Sequence, residues 1–184
     1  MKERKYKADW VNETRIDSKS GREKQVPVYQ GSWFRLQPGR SRKELVLLRA
    51  FLPWISFLVL VLLYFRLDFP GTRILYVFLP AALSIFPCLY WAMGIWVLFR
   101  APERMTRVQK ETGIGRVLRS AAACVILSCA ALLGEMIFLF SGGDTVREWP
   151  GMLMLLAAAV ISFGTSAFFR TVYRQLKEER NADS

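Results

Sequence analysis

The residue in this sequence most able to do chemistry is a carboxylate in the wrong solvent. Residues 132–140 read LLGEMIFLF, and Glu135 is the only charge in that apolar run. An ionisable side chain inside a membrane-type segment costs free energy, so it is by default a functional hypothesis with a partner to be named. Three roles fit a lone glutamate here. It can pair with an arginine or with headgroup water at the membrane edge, serve as a proton- or cation-linked site, or contact the helix of a partner.

Little else carries chemistry. The chain has no histidine, which removes the commonest general base and metal ligand. Its three cysteines, Cys88, Cys124 and Cys129, all fall in apolar runs and form no C-x-x-C, so zinc and thiol-redox motifs are absent. Nucleophile-elbow, zincin and Walker patterns are also missing, and "GIGR" at 113–116 lacks the preceding strand and further glycine of a phosphate-binding turn. No cofactor or metal is expected. An enzyme is the lesser reading; one would have to act on a lipid or peptide at the membrane through carboxylates.

Hydrophobic patterning explains what must position Glu135. The 184 residues are 53% hydrophobic, with charges crowded into 1–49, 100–119 and 170–184. Between them lie four runs long enough to cross a bilayer, which takes about 20 apolar residues. Backbone groups in lipid must be paired internally, so these runs should be helices. The expected fold is an all-α integral membrane protein with helices near 42–65, 74–99, 117–140 and 150–170. It divides into an arm (1–40), a four-helix domain (41–172) and a tail (173–184). No cleavable signal pattern precedes the first run, which should act as an uncleaved anchor.

Basic residues set the orientation. Twenty-three of the 26 Lys and Arg lie in the N-terminal region, the middle loop and the tail; Arg66, Arg73 and Arg147 alone lie in the two other loops. The positive-inside rule then places both termini and the middle loop in the cytoplasm of a multi-pass cell-membrane protein. The net charge of +11 reads as topology plus attraction to anionic lipid. Nucleic acid is not an expected partner, since no basic helix or aromatic platform accompanies the charge. Glu135 stands five residues from the end of its run at Phe140, so it lies about 7–8 Å below the outer interface. Arg66 and Arg147 should share that surface and are its candidate neighbours.

Both outer loops end in acid, aromatic, Pro, Gly: Asp68-Phe69-Pro70-Gly71 and Glu148-Trp149-Pro150-Gly151. Two like-oriented helical hairpins could form a parallel repeat. Pro at a helix's first turn and an interfacial aromatic are ordinary, however. Pro80 and Pro87 should kink the second helix. Small residues at helical spacing (Ser120, Cys124, Ser128 and Ala131; Ala158, Ser162 and Ser166) predict close packing of the third helix on the fourth. The first helix, with Phe57, Leu58, Leu60 and Leu62, should face lipid more.

The arm reads as a β-hairpin. Tyr6, Ala8, Trp10 and Asn12 alternate with more polar residues, as do Tyr29, Gly31 and Trp33, around a Ser/Gly/Lys turn. Pro27 suits a strand edge. Ser41 and Glu44 have capping-box spacing for a helix beginning near Arg42. In the middle loop, Met105 and Val108 among Arg104, Arg107 and Lys110 predict a short amphipathic helix ended by Gly113 and Gly115. A lone hairpin is marginal in water, so Trp10, Tyr29 and Trp33 should dock on the helix ends or on a partner.

The expected role is a non-enzymatic membrane subunit or scaffold that meets lipid, a protein partner through the arm, or a second copy of itself. The alternative is a small oligomeric transporter or channel component using Glu135. Small four-helix multidrug exporters also carry a membrane glutamate. They lack a tail like residues 1–44, and here the glutamate sits late in the third run, so no residue is carried across.

Topology is directly testable. On a background without reactive native thiols, cysteines at Ser18 and Ser184 should resist an impermeant thiol reagent in intact cells, while one at Thr145 should react. Labelling of the termini from outside would reverse the orientation.

Overall fold

The computed structural model describes residues 10–16, 23–35, 40–102, 104–142 and 145–179. Tyr6, Ala8, Pro38, Gly39 and the greater part of the expected hairpin turn lie outside these ranges. The chain is mostly helical. Four helical stretches are long and apolar enough to cross a membrane: Lys43–Arg66, Leu75–Arg100, Arg107–Phe140 and Val146–Gln175.

The first stretch is one helix, α1 (Arg40–Arg66). It starts earlier than expected, so Ser41 lies inside its first turn rather than ahead of it. The second is split into α2 (Leu75–Leu83) and α3 (Ile85–Arg100). The interruption falls at Ser84, between the two prolines. Pro87 has no N–H to offer the Leu83 carbonyl; one turn earlier, the Ser84 hydroxyl donates to Ala81 O at 2.6 Å. The expected kink is thus a break with a defined residue at its centre.

The third stretch comprises α4 (Arg107–Thr112) and α5 (Ile114–Phe140), divided at Gly113. A capping box opens α4: Thr106 Oγ1 accepts from the Gln109 N–H, and Gln109 Oε1 accepts from the Thr106 N–H. Its T-x-x-Q spacing is visible in the sequence. Met105 is not on this helix; it belongs to a strand, with its side chain 1% exposed. Gly115 lies inside α5 rather than ending α4. The fourth stretch, α6 (Thr145–Gln175), begins five residues before the expected start and carries Pro150 inside it.

Packing follows the small residues. α5 on α6 is the most extensive helix pair, with Ser120, Cys124, Ser128 and Ala131 buried on one side and Ala158 and Ser162 on the other. Thr165 is buried beside the half-buried Ser166, so the stripe of α6 runs one residue away from its expected line. α1 has 22% of its apolar window buried against 33% for α6, which makes it the more outward of the two. Phe57 is the exception: it is fully buried against Trp91, with ring centroids 6.3 Å apart.

At the end carrying both described termini, three distant segments meet. Strands β1 (Trp10–Ile16) and β2 (Glu23–Tyr29) form the antiparallel hairpin, pairing Trp10 with Tyr29 and Ile16 with Glu23. The chain then enters β3 (Trp33–Arg35), the centre of a second sheet flanked by β4 (Arg104–Thr106) and β5 (Lys177–Glu179), both antiparallel to it. Trp33 therefore sits in this sheet, not on the second arm of the hairpin. Phe34, Met105 and Leu176 are buried and continue the bundle core down to Trp91 and Cys124.

One close approach fixes the helix arrangement. A Cβ on Gly94 of α3 would lie 2.8 Å from Val117 Cγ2 and 3.1 Å from the Val117 backbone nitrogen of α5. Gly164 has open space around it. Gly94→Ala should therefore lower thermal stability in mild detergent by about 1–3 kcal/mol, whereas Gly164→Ala should not. Equal tolerance of both changes would disprove the contact.

Candidate functional site

The opposite end of the bundle holds the glutamate. The buried stripe of α5 runs Val117, Ala121, Cys124, Ser128, Ala131, Glu135, every step three or four residues, as one helix face requires. Glu135 is the last member and is 0% exposed. The buried stripe of α6 runs Glu148, Gly151, Leu155, Ala158, Ser162, Thr165, Phe169. Its first member is a second carboxylate, also 0% exposed. In the sequence alone Pro150 reads as a helix start, which leaves Glu148 in the outer loop. Extending the α6 stripe back by three- and four-residue steps would have found it.

α1 supplies the donor. Val46, Ala50, Phe57, Val61 and Tyr64 are its buried face, and the Tyr64 hydroxyl donates to Glu135 Oε1 at 2.5 Å. The turn after α1 supplies another. Asp68 takes the left-handed conformation (φ 48°), which Asp tolerates better than most residues. It leads into a 3₁₀ turn, Pro70–Arg73, with Pro at its start. The first N–H groups of such a turn have no internal partner. One of them, on Gly71, donates to Glu148 Oε1 at 2.6 Å.

Gly71 also touches Glu135. A Cβ there would stand 2.5 Å from Glu135 Oε2 and 2.7 Å from Oε1. The two carboxyl groups, one from α5 and one from α6, thus converge on Gly71. Glu135 Oε2 and Glu148 Oε2 are both buried without a hydrogen-bond partner. Phe69 and Tyr64 pack over the glycine of the other motif, with Phe69 Cδ2 3.1 Å and Tyr64 Cε2 3.2 Å from the position of a Gly151 Cβ.

Among the described residues, no arginine joins the pair. Arg66, Arg73 and Arg147 are exposed. Arg73 instead binds Asp68, Nη2 to Oδ2 at 2.7 Å, and that guanidinium holds the Asp68 carboxyl below the usual carboxylate range, with attraction from Arg147 in the same direction. In place of the expected surface arginine, Glu135 accepts from the Tyr64 hydroxyl and shares Gly71 with Glu148. Burial decides this: a guanidinium drawn to that depth would also have to be desolvated.

The aromatic residues of the arm form a separate constellation. Trp10, Tyr29 and Trp33 stack edge to face in series, with centroids 5.2 and 5.1 Å apart. Tyr29 is the anchor: its hydroxyl donates to Ser32 O and accepts from the Arg107 N–H, each at 3.1 Å. Trp10 remains 46% exposed. Among the described residues, no group of three or more His, Cys, Asp or Glu could hold a metal ion. No family model, curated protein or solved structure matches the chain.

The acid site makes a graded stability prediction. Tyr64→Phe removes one hydroxyl and strands Glu135 Oε1, which should cost about 1–3 kcal/mol. Gly71→Ala drives a methyl into the Glu135 carboxyl and should cost at least as much. Thermal unfolding in mild detergent reads both; two unchanged midpoints would show that the site does not hold the helices together.

Proposed function

We propose that the chain is a small multi-pass membrane protein acting as a non-enzymatic subunit or interaction protein, with its sheet-bearing end in the cytoplasm. The Trp10–Tyr29–Trp33 ladder carries this reading. It is rooted on the bundle through Tyr29 and Trp33 but ends in an exposed indole, Trp10. An exposed indole gains when covered, by area and by ring contacts, so a protein that lays an apolar residue on the Trp10 face is the fitting partner. A second copy of the chain or the headgroup region could cover the same face.

The charge pattern supports the orientation. Arg49, Arg100, Lys110 and Arg116 at the sheet-bearing end lie over the Phe168, Trp96, Phe34 and Tyr90 rings at 4.8, 4.3, 4.0 and 5.3 Å. Basic and aromatic side chains together suit a cytoplasmic headgroup layer.

A second reading, a small oligomeric transporter or channel component, is favoured by the buried Glu135–Glu148 pair facing the opposite side. Purification in mild detergent separates the two. A defined partner whose recovery falls severalfold in Trp10→Ala and Trp33→Ala, with membrane orientation unchanged, supports the interaction role. A lone homo-oligomer with proton-dependent flux in liposomes supports the second reading and defeats the first.

A further inference from the structure

We propose that Glu135 and Glu148 form one proton-binding site, in which a single proton bridges Glu135 Oε2 and Glu148 Oε2. The inference concerns binding alone and requires neither a partner at the arm nor flux through the bundle.

The hydrogen-bond inventory points to it. The pair has four carboxyl oxygens. The Tyr64 hydroxyl serves Glu135 Oε1 and the Gly71 N–H serves Glu148 Oε1. That leaves one buried, unpartnered oxygen on each group, and both carboxyl groups converge on the same residue, Gly71. One proton placed between the two leftover oxygens satisfies both as an O–H···O⁻ bond, among the shortest and strongest kinds. With no proton, two like charges sit side by side out of water, the arrangement that makes adjacent carboxyls share a proton elsewhere. With two protons, one O–H needs a further acceptor. The singly protonated pair is the form in which every oxygen is matched.

Neighbouring charges do not relieve the need. Tyr64 from α1 donates as a neutral phenol. In the connection, Asp68 and Arg73 bind each other at the surface. Arg66 at the end of α1, Tyr76 of α2 and Arg147 of α6 are exposed. A metal ion is a poor substitute, because calcium takes 6–8 oxygen ligands and magnesium an octahedron, whereas this pair has two uncommitted oxygens.

Infrared spectroscopy of the full chain in lipid nanodiscs, with ¹³C-carboxyl glutamate, tests the site. At neutral pH the exposed acids are ionised, so the wild type should show a protonated-carboxyl C=O band of about one group per chain. The band should shift with the glutamate label and disappear as pH is raised. Glu135→Gln and Glu148→Gln should each remove it, because the amide N–H₂ donates to the remaining carboxylate in place of the bridging proton. Absence of the band in the folded wild type overturns the proposal, as does its survival in Glu148→Gln, which would make the proton the property of Glu135 alone. Absence of the band together with stability that depends on added sodium or calcium assigns the site to a cation instead. If neither glutamine variant folds, absence of the labelled band from the wild type still overturns the proposal.

Discussion

Two buried carboxyl groups that converge on Gly71, with two hydrogen-bond donors and, among the described residues, no arginine beside them, govern the architecture of the loop end. A carboxyl out of water must find hydrogens for its oxygens, and four chain segments at this end contribute to meeting that demand. α1 brings the Tyr64 hydroxyl, the 3₁₀ turn brings the Gly71 N–H, and α5 and α6 bring the acids. The demand also explains the glycine. A side chain at position 71 would occupy the space of the Glu135 carboxyl, so backbone is the only thing that fits between the acids. The first helical hairpin is thereby fastened to the second through polar contacts at one end, while apolar packing of small residues fastens α5 to α6 along their length.

The other end is organised by a different constraint. Three chain segments about seventy residues apart in sequence each present a short extended stretch, and none could stand alone. Pairing β3 with β4 and β5 satisfies their backbone groups and turns Phe34, Met105 and Leu176 inward onto the helices. The hairpin β1–β2 is then not an independent domain but an extension rooted in this sheet through Tyr29. Rigidity at the root and exposure at Trp10 are what an attachment surface needs, because the ordering cost of the scaffold is already met by the bundle.

Much of this was legible in the sequence, and the parts that were not share a cause. The four apolar stretches follow from composition, the α5–α6 contact from small residues at helical spacing, a distortion of the second stretch from Pro80 and Pro87, and a strand pair in the arm from two extended runs around a Ser/Gly/Lys turn, although the alternating residues Gly31 and Trp33 fall outside β2. Glu135 stands out because a charge in an apolar run is costly. Its partners did not stand out, because each is ordinary in its own local context. Glu148 reads as a loop acid until α6 is extended through Pro150, and Tyr64 reads as an interfacial aromatic. β4 and β5 were missed for the same reason: three-residue strands have no periodicity to detect, and their pairing depends on where the helices end. Long-range assembly, not local propensity, decides such elements.

The two acid–aromatic–Pro–Gly motifs show how far local likeness can mislead. In sequence they suggest a repeat, two equivalent hairpin tips related by an axis along the membrane normal. In space they are opposite in kind. Asp68 is exposed, left-handed and bound to Arg73, while Glu148 is helical and fully buried. Pro70 opens a 3₁₀ turn, whereas Pro150 lies within a helix already under way. The two glycines are the common element, and each is the floor against which the other half packs: Gly71 receives the acids, and Gly151 receives Phe69 and Tyr64. A symmetric pair would place both acids in equivalent surroundings. The observed pair sets one acid in water beside a cation and the other beside Glu135 without one. The motifs are therefore complementary halves of a single joint, and the asymmetry between them is what creates a buried two-carboxyl site at that joint.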